Sequence, residues 1–134
     1  MNDPLPIGAG CGTGPTPANA AALAQALSAD RDLQVTAPVA VSIGGAEGLA
    51  MDLTAAPGAG YCDELIPVLT IRDDAPWRGL YLDRGSRMRL YLVDLPSGVP
   101  SRILAIGIVA PEVRFEDVTG AAAPVVDSIE FRTP

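Results

Sequence analysis

The chain has 134 residues, 49% hydrophobic and 19% charged, with 9 cations against 16 anions and a net charge of −7. That length makes one domain, whose folding removes roughly two thirds of the unfolded surface, and the composition is globular rather than disordered. The acidic balance argues against nucleic acid as a partner, because that binding rests on clustered cations; no stretch approaches the ~18 apolar residues of a membrane span, and no polybasic run suits an anionic lipid surface.

Two absences narrow the chemistry further. The chain has no His, and all of its cations are Arg. Without His or Lys there is no Ser-His-Asp triad, no Cys-His pair, no His-containing metal site, no Schiff base and no phosphate-loop lysine. Its 2 Cys cannot build a four-Cys zinc site. No motif implies a metal or a cofactor.

Residues 1–15 are rich in Gly and Pro and are read as a flexible segment ahead of a single α+β domain over 16–134. They carry neither a basic n-region nor an apolar h-region. Either the protein is cytoplasmic, or a leader upstream of these residues has been removed. Gly8-Ala9-Gly10-Cys11 weakly resembles a lipoprotein cleavage box, but Gly8 stands where a large apolar residue is expected.

Thr16-Pro17 is expected to open a helix ending near Ala29, with Thr16 as cap and Pro17 at the first helical position. Ala20, Leu23, Ala24 and Leu27 then form a narrow stripe of small and branched residues. Leu33–Ile43 reads as extended chain, alternating clearly after Pro38. Gly44–Gly48 reads as a tight turn, and Leu49, Met51 and Leu53 as the inward side of a second strand, making a hairpin. Ile66–Arg72 and Gly79–Leu82 are short strands on either side of the Asp73–Pro76 turn. Asp83–Ser86 turns the chain into its central element.

That element is Arg87–Ala110. Its two apolar runs, Met88–Leu95 and Ile103–Ala110, flank the punctuated turn Pro96-Ser97-Gly98-Val99-Pro100. Neither run alternates apolar with polar. Strands apolar on both sides are covered on both sides, so a central antiparallel pair with helices or a second sheet against it is expected. Phe115–Asp127 is the second helix candidate. Gly120 and Pro124 are expected to break or shorten it, so that it starts firmly only near Ala122, with Val125, Val126, Ile129 and Phe131 facing the core.

Cys11 and Cys62 both lie in Gly-rich loops. In a small acidic domain this favours a disulfide in an oxidising compartment, worth roughly 4 kcal/mol in the chain-entropy picture; the alternative is two free buried thiols in a cytosolic protein. Asp73-Asp74 reads as turn chemistry. Trp77, Arg78 and Tyr81 form an aromatic and cationic cluster of the kind enriched at binding surfaces, or else cap the edge of the core. Asp94 is the odd polar residue of the hairpin: a general base if buried, or a strand-end group bonded to turn amides or to an Arg.

Several segments in order carry a resemblance: a first Cys, a Leu-x-x-x-Leu helix, VTAPVAVSIGGAEG at Val35–Gly48, Cys62, RMRLYLVD at Arg87–Asp94 and PVVDSIEF at Pro124–Phe131. Together, over Cys11 to Phe131, the chain resembles small secreted or membrane-tethered actinobacterial and Chloroflexi domains of uncharacterised function. Those carry a Pro-Val-x-Val-Thr-x-Gly-Gly-x-x-Gly hairpin, a Leu-Asp-Val-like central strand and a closing Val-x-Asp-Ser-Ile-x-Phe. The resemblance implies a Cys11–Cys62 disulfide and an α/β/α sandwich of the Mog1/PsbP-like kind. It brings no catalytic residues. Gly12-Thr13 replaces the family's Trp near the first Cys, and Leu90–Asp94 replaces its Trp-Ile-Leu-Asp-Val, so no ligand specificity transfers.

The expectations are therefore an α+β domain with a central antiparallel sheet, an N-terminal helix and a short C-terminal helix. The leading function is a non-enzymatic extracytoplasmic binding or interaction module for an unknown protein or small molecule. The rival is a small enzyme of the isomerase or epoxide-hydrolase type, with Asp94 or Asp52 acting beside an Arg or Tyr91 in a cone-shaped pocket. A structural accessory domain is the third possibility.

Overall fold

In a computed structural model, residues 5–6, 17–60, 65–70, 79–97 and 102–131 are described. The central hairpin pairs β7 (Ser86–Asp94) with β8 (Ile103–Pro111) in one continuous antiparallel register, from Ser86 opposite Pro111 to Asp94 opposite Ile103. On its other side β7 pairs with β4 (Ala46–Ala55). The expected stretch Leu33–Ile43 is two strands, β2 (Leu33–Val35) and β3 (Val39–Ile43), each pairing with a different part of β4. Pro38 explains the division, because it has no N–H to give a ladder. The result is a five-stranded sheet with β8 at its edge.

The turn joining β3 to β4 is shorter than the sequence suggests. Only Gly44 and Gly45 form it, with φ of +58° and +80°. Two successive left-handed residues make the turn that best matches the twist of paired strands. Ala46, Glu47 and Gly48 are therefore strand. Gly48 also lets β4 and β7 approach closely, since a Cβ there would stand 2.5 Å from the Leu92 carbonyl oxygen.

The two faces of the sheet are covered differently. Met88, Leu90 and Leu92 of β7 are fully buried on one face. They pack against helix α1 (Ala20–Ser28) and against Ile66, Val68, Leu69 and Leu82. Those four belong to a second, three-stranded sheet of β1 (Leu5–Pro6), β5 (Leu65–Thr70) and β6 (Gly79–Asp83). Leu5 and Pro6, within the segment set apart from the domain in the sequence, thus pair with Thr70 and Leu69. On the other face Val93 packs with Val126 of helix α2 (Phe115–Asp127), with Ile129 and Phe131 beside them. A short 3₁₀ turn, Glu112–Arg114, links β8 to α2. The expected α+β class, with antiparallel sheets and a helix towards each end, is what the chain adopts.

Helix α1 buries the stripe its spacing suggests: Ala20, Leu23, Ala24 and Leu27. Burial of each Leu stabilises by roughly 1.5–3 kcal/mol. Its start differs from expectation. Asn19 is the cap and Pro17 lies before the helix, while Thr16 lies outside the described residues. The Asn19 carboxamide oxygen accepts from the Ala22 N–H, and Asn is among the strongest capping residues.

Helix α2 is also corrected. It runs unbroken over 13 residues and is not a short turn from Ala122. Pro124 lies in the last turn, so its missing N–H costs one bond near an end where fraying is cheap. Gly120 has open space around it. Phe115, Thr119 and Val126 share the buried stripe of the helix. Val125, expected inside, is 67% exposed; one helical step of about 100° turns it away from Val126.

Candidate functional site

The two carboxylates singled out for chemistry lie on opposite faces of the sheet and form no common site. Asp94 follows Met88, Leu90 and Leu92 at even spacing and so shares the α1 face. Asp52 stands opposite Arg89 on the α2 face, and Tyr91 lies two residues further along β7.

On the α2 face a charged cluster surrounds one ring. Arg89 holds Asp52 at two points: Nε donates to Oδ1 at 2.9 Å and Nη2 donates to Oδ2 at 3.1 Å. The fork of the guanidinium matches the two carboxylate oxygens. Arg89 is held more firmly protonated than an ordinary guanidinium, first by this hydrogen bond to Asp52; burial opposes, and the charges of Asp52, Tyr91 and Glu116 add. Two residues away, Arg87 pairs with Glu112 at 3.3 Å. Both guanidinium carbons lie over the Phe115 ring, at 5.2 Å for Arg87 and 5.3 Å for Arg89. Phe115, at the start of α2, is 1% exposed. Cation–π attraction thus fixes the helix start on the sheet. Sequence alternation places Arg87 and Arg89 on one face; nothing local shows that a Phe more than twenty residues later would lie beneath them. The adjoining pocket, between Asp52, Arg87, Gln34 and Thr36, measures about 180 Å³, below the range typical of ligand sites.

On the α1 face Asp94 has a different task. Its Oδ1 accepts from the backbone N–H of Ala20, the first residue of α1, at 2.8 Å. An anion at that end of a helix meets unpaired amides and the positive end of the dipole. Asp94 is exposed rather than buried, and among the described residues it accepts from a helix amide; residues 98–101 of the turn that follows lie outside the described residues. Beside it an open groove of about 700 Å³ runs between α1 and the β3–β4 hairpin, lined by Ala21, Ser42, Glu47 and Asp94 among others. A second groove of about 420 Å³ continues round the hairpin to Pro96 and Phe131, sharing Gly45, Glu47 and Asp94 with the first. Glu47 is the residue that the sequence reading missed. Its signal lies in the register: Gly48 opposes Val93, so the next pair along would be Glu47 and Asp94.

Of the other candidates, Tyr81 is half-buried in β6, opposite Pro67. Trp77, Arg78, Asp73, Asp74, Cys11 and Cys62 lie outside the described residues. Tyr91 packs at the edge of the α2-side core. Among the described residues no group of three or more His, Cys, Asp or Glu side chains is placed to hold a metal ion, and no helix is long and apolar enough to cross a membrane.

Comparison with known proteins finds no matching family model, no matching curated protein and no matching solved structure.

Proposed function

We propose that the chain is a non-enzymatic binding module that acts outside the cytoplasm and uses the paired grooves around the β3–β4 hairpin. One observation carries the reading: both carboxylates that an isomerase or hydrolase would need are committed to holding the fold, Asp52 to Arg89 and Asp94 to the α1 amide. A general base also needs room for a substrate beside it and a partner group to steady the charge that develops. Asp52 lies beside a cation but against only a small pocket. Asp94 lies beside a large groove, but among the described residues neither Arg nor Tyr lines it.

The groove falls within the size range of small-molecule or short-peptide sites. Its side-chain carboxylates, Glu47 and Asp94, favour a ligand that brings hydrogen-bond donors or a positive charge. The extracytoplasmic setting rests on the two Cys in Gly-rich loops and on the resemblance to secreted and tethered domains.

The test combines two measurements. Titrating isotope-labelled protein with small amines and Arg-containing dipeptides is expected to move amide resonances of Ala20–Ala21 and Ser42–Gly48. Turnover of an epoxide or an isomerisable ketone by the wild type, abolished in Asp52→Asn or Asp94→Asn, would overturn the reading. Intact mass and thiol alkylation without reductant check the compartment: a bridged Cys11–Cys62 resists alkylation, and two reactive thiols speak against an oxidising setting.

A further inference from the structure

We propose that the outer edge of β3 takes an extended peptide as an added strand, and that an Arg or Lys of this peptide reaches into the groove toward Glu47. This names a ligand for the groove already described and rests on the binding-module reading.

β3 lies on the side of β4 away from β7, and among the described residues no strand pairs with its outer side. The hairpin turn decides which of its backbone groups face outward. A two-residue turn of left-handed glycines closes on a pair that exchanges both N–H···O bonds, here Ile43 and Ala46. By alternation Val41 and Val39 also bond inward to β4. The N–H and C=O groups of Ala40 and Ser42 therefore point outward. Both residues are exposed, so two donors and two acceptors face solvent. Edges of sheets are usually guarded by charge, Pro or bulges. The span VAVSI holds neither charge nor Pro, and its register with β4 is unbroken.

The same two residues line the groove, on one face with Glu47, Leu49 and Asp94. In an added antiparallel strand, the residues opposite Ala40 and Ser42 put their side chains on that face. The one opposite Ser42 lies two strand spacings, about 10 Å, from the Glu47 backbone. The small Ser42 side chain leaves that path open, and a long cationic side chain spans it. Glu47 is exposed, and among the described residues no cation pairs with it. Asp94 gives one carboxylate oxygen to the Ala20 amide and keeps the other. The peptide residue opposite Val41 falls on the α2 face instead. There Val39 is 63% exposed, so an apolar side chain is favoured. The ligand thus alternates cationic and apolar, with main-chain bonds supplying affinity and the alternate side chains specificity. A second copy fits this edge poorly. β3 paired with itself would bring only Ala40 and Ser42 to the groove face and leave the carboxylates unmatched, between two chains each of net charge −7.

The probe is the end-capped tetrapeptide Arg-Val-Thr-Val, titrated to about 2 mM into the isotope-labelled full chain, since a contact this small binds weakly. Saturable shifts are expected at Ala40–Ile43 and Glu47, with slowed hydrogen exchange at the Ala40 and Ser42 amides. N-methylation of the peptide's Thr removes the N–H that meets the Ala40 carbonyl, and should weaken binding roughly tenfold. Glu in place of the peptide's Arg should weaken it by a similar factor, and Glu47→Gln should weaken the Arg peptide roughly threefold. Ser42→Pro removes an outward donor and spares the bonds to β4, so it should also cost roughly tenfold. Unfolding midpoints report whether each variant is folded; should Ser42→Pro fail to fold, the N-methylated peptide decides. An N-methylated peptide that binds as well as its parent overturns the strand addition and leaves the groove reading standing. So does a chain that answers small amines at Ala20–Ala21 but no peptide. Silence toward both amines and peptides overturns the two together. Protection of Ala40 and Ser42 that rises with protein concentration alone assigns the edge to a second copy and overturns the proposal.

Discussion

The Asp94 carboxylate and the Ala20 amide, 74 positions apart in sequence, meet at 2.8 Å and tie the first turn of α1 to the end of β7. Asn19 caps the same turn from within the helix. Two acceptors thus satisfy two of the amides that every helix leaves open. Replacing Asp94 by Ala is expected to cost about 1 kcal/mol, the usual worth of a lost cap plus its charge at the dipole. Denaturant unfolding measures the loss, and hydrogen exchange should quicken first at Ala20–Ala22.

Asp52 and Arg89 form a partly buried pair, with side chains 20% and 30% exposed. Isolated surface pairs contribute little, but two-point geometry and the Phe115 ring restrict this one. A double-mutant cycle with Asp52→Ala and Arg89→Ala is expected to return a coupling of about 1 kcal/mol. A coupling near zero would place the pair with ordinary surface contacts.

Gly48 and Gly120 should respond oppositely to Ala. A Cβ at Gly48 would meet the Leu92 carbonyl oxygen at 2.5 Å and force β4 from β7, whereas at Gly120 nothing lies within 4 Å. Gly48→Ala is expected to destabilise by roughly 1–3 kcal/mol, as crowding in a packed region does. Gly120→Ala should stabilise by roughly 0.5–1 kcal/mol through helix propensity. Unfolding midpoints compared at constant slope separate the two.

Asp30 sits just past the end of α1, where the dipole is negative. Burial raises its pKa above the usual 3.8, opposed by the bond its Oδ1 accepts from the Asp32 N–H. A raised carboxylate pKa means the folded chain binds the proton more tightly than the unfolded one. Stability therefore falls as pH rises through the window just above 3.8 and stays lowered beyond it. Asp30→Asn keeps the acceptor and removes the charge. It should gain roughly 0.3–0.5 kcal/mol near neutral pH, allowing for solvent screening, and nothing at about pH 3, where both states are protonated.

Legibility in the sequence follows the range of the interaction. The α1 stripe, the Gly44-Gly45 turn and the apolar β7–β8 hairpin depend on neighbours within a few residues, and periodicity displays them. Which residue caps α1 was harder, because Thr16-Pro17 and Asn19 both fit capping chemistry and only the Ala22 amide decides. The continuity of α2 was obscured because the local penalties of Gly120 and Pro124 are outweighed by Phe115 and Val126 packing on the sheet. The candidate site was least legible. Asp94 stands out as a polar residue in an apolar strand, yet its partner lies 74 positions away, and Glu47 joins it only through the β4–β7 register.

The central claim is that Asp52 and Asp94 hold the fold and do not carry a reaction, and the sign of one stability change tests it most directly. Catalytic carboxylates are commonly kept at a cost in stability, so neutralising one tends to stabilise. Equilibrium unfolding of Asp52→Asn and Asp94→Asn should show each variant less stable than wild type by roughly 0.3–1 kcal/mol, the worth of the carboxylate charge beside Arg89 or at the α1 dipole, since Asn keeps one acceptor oxygen. Either variant proving as stable as wild type, or more so, would contradict the claim.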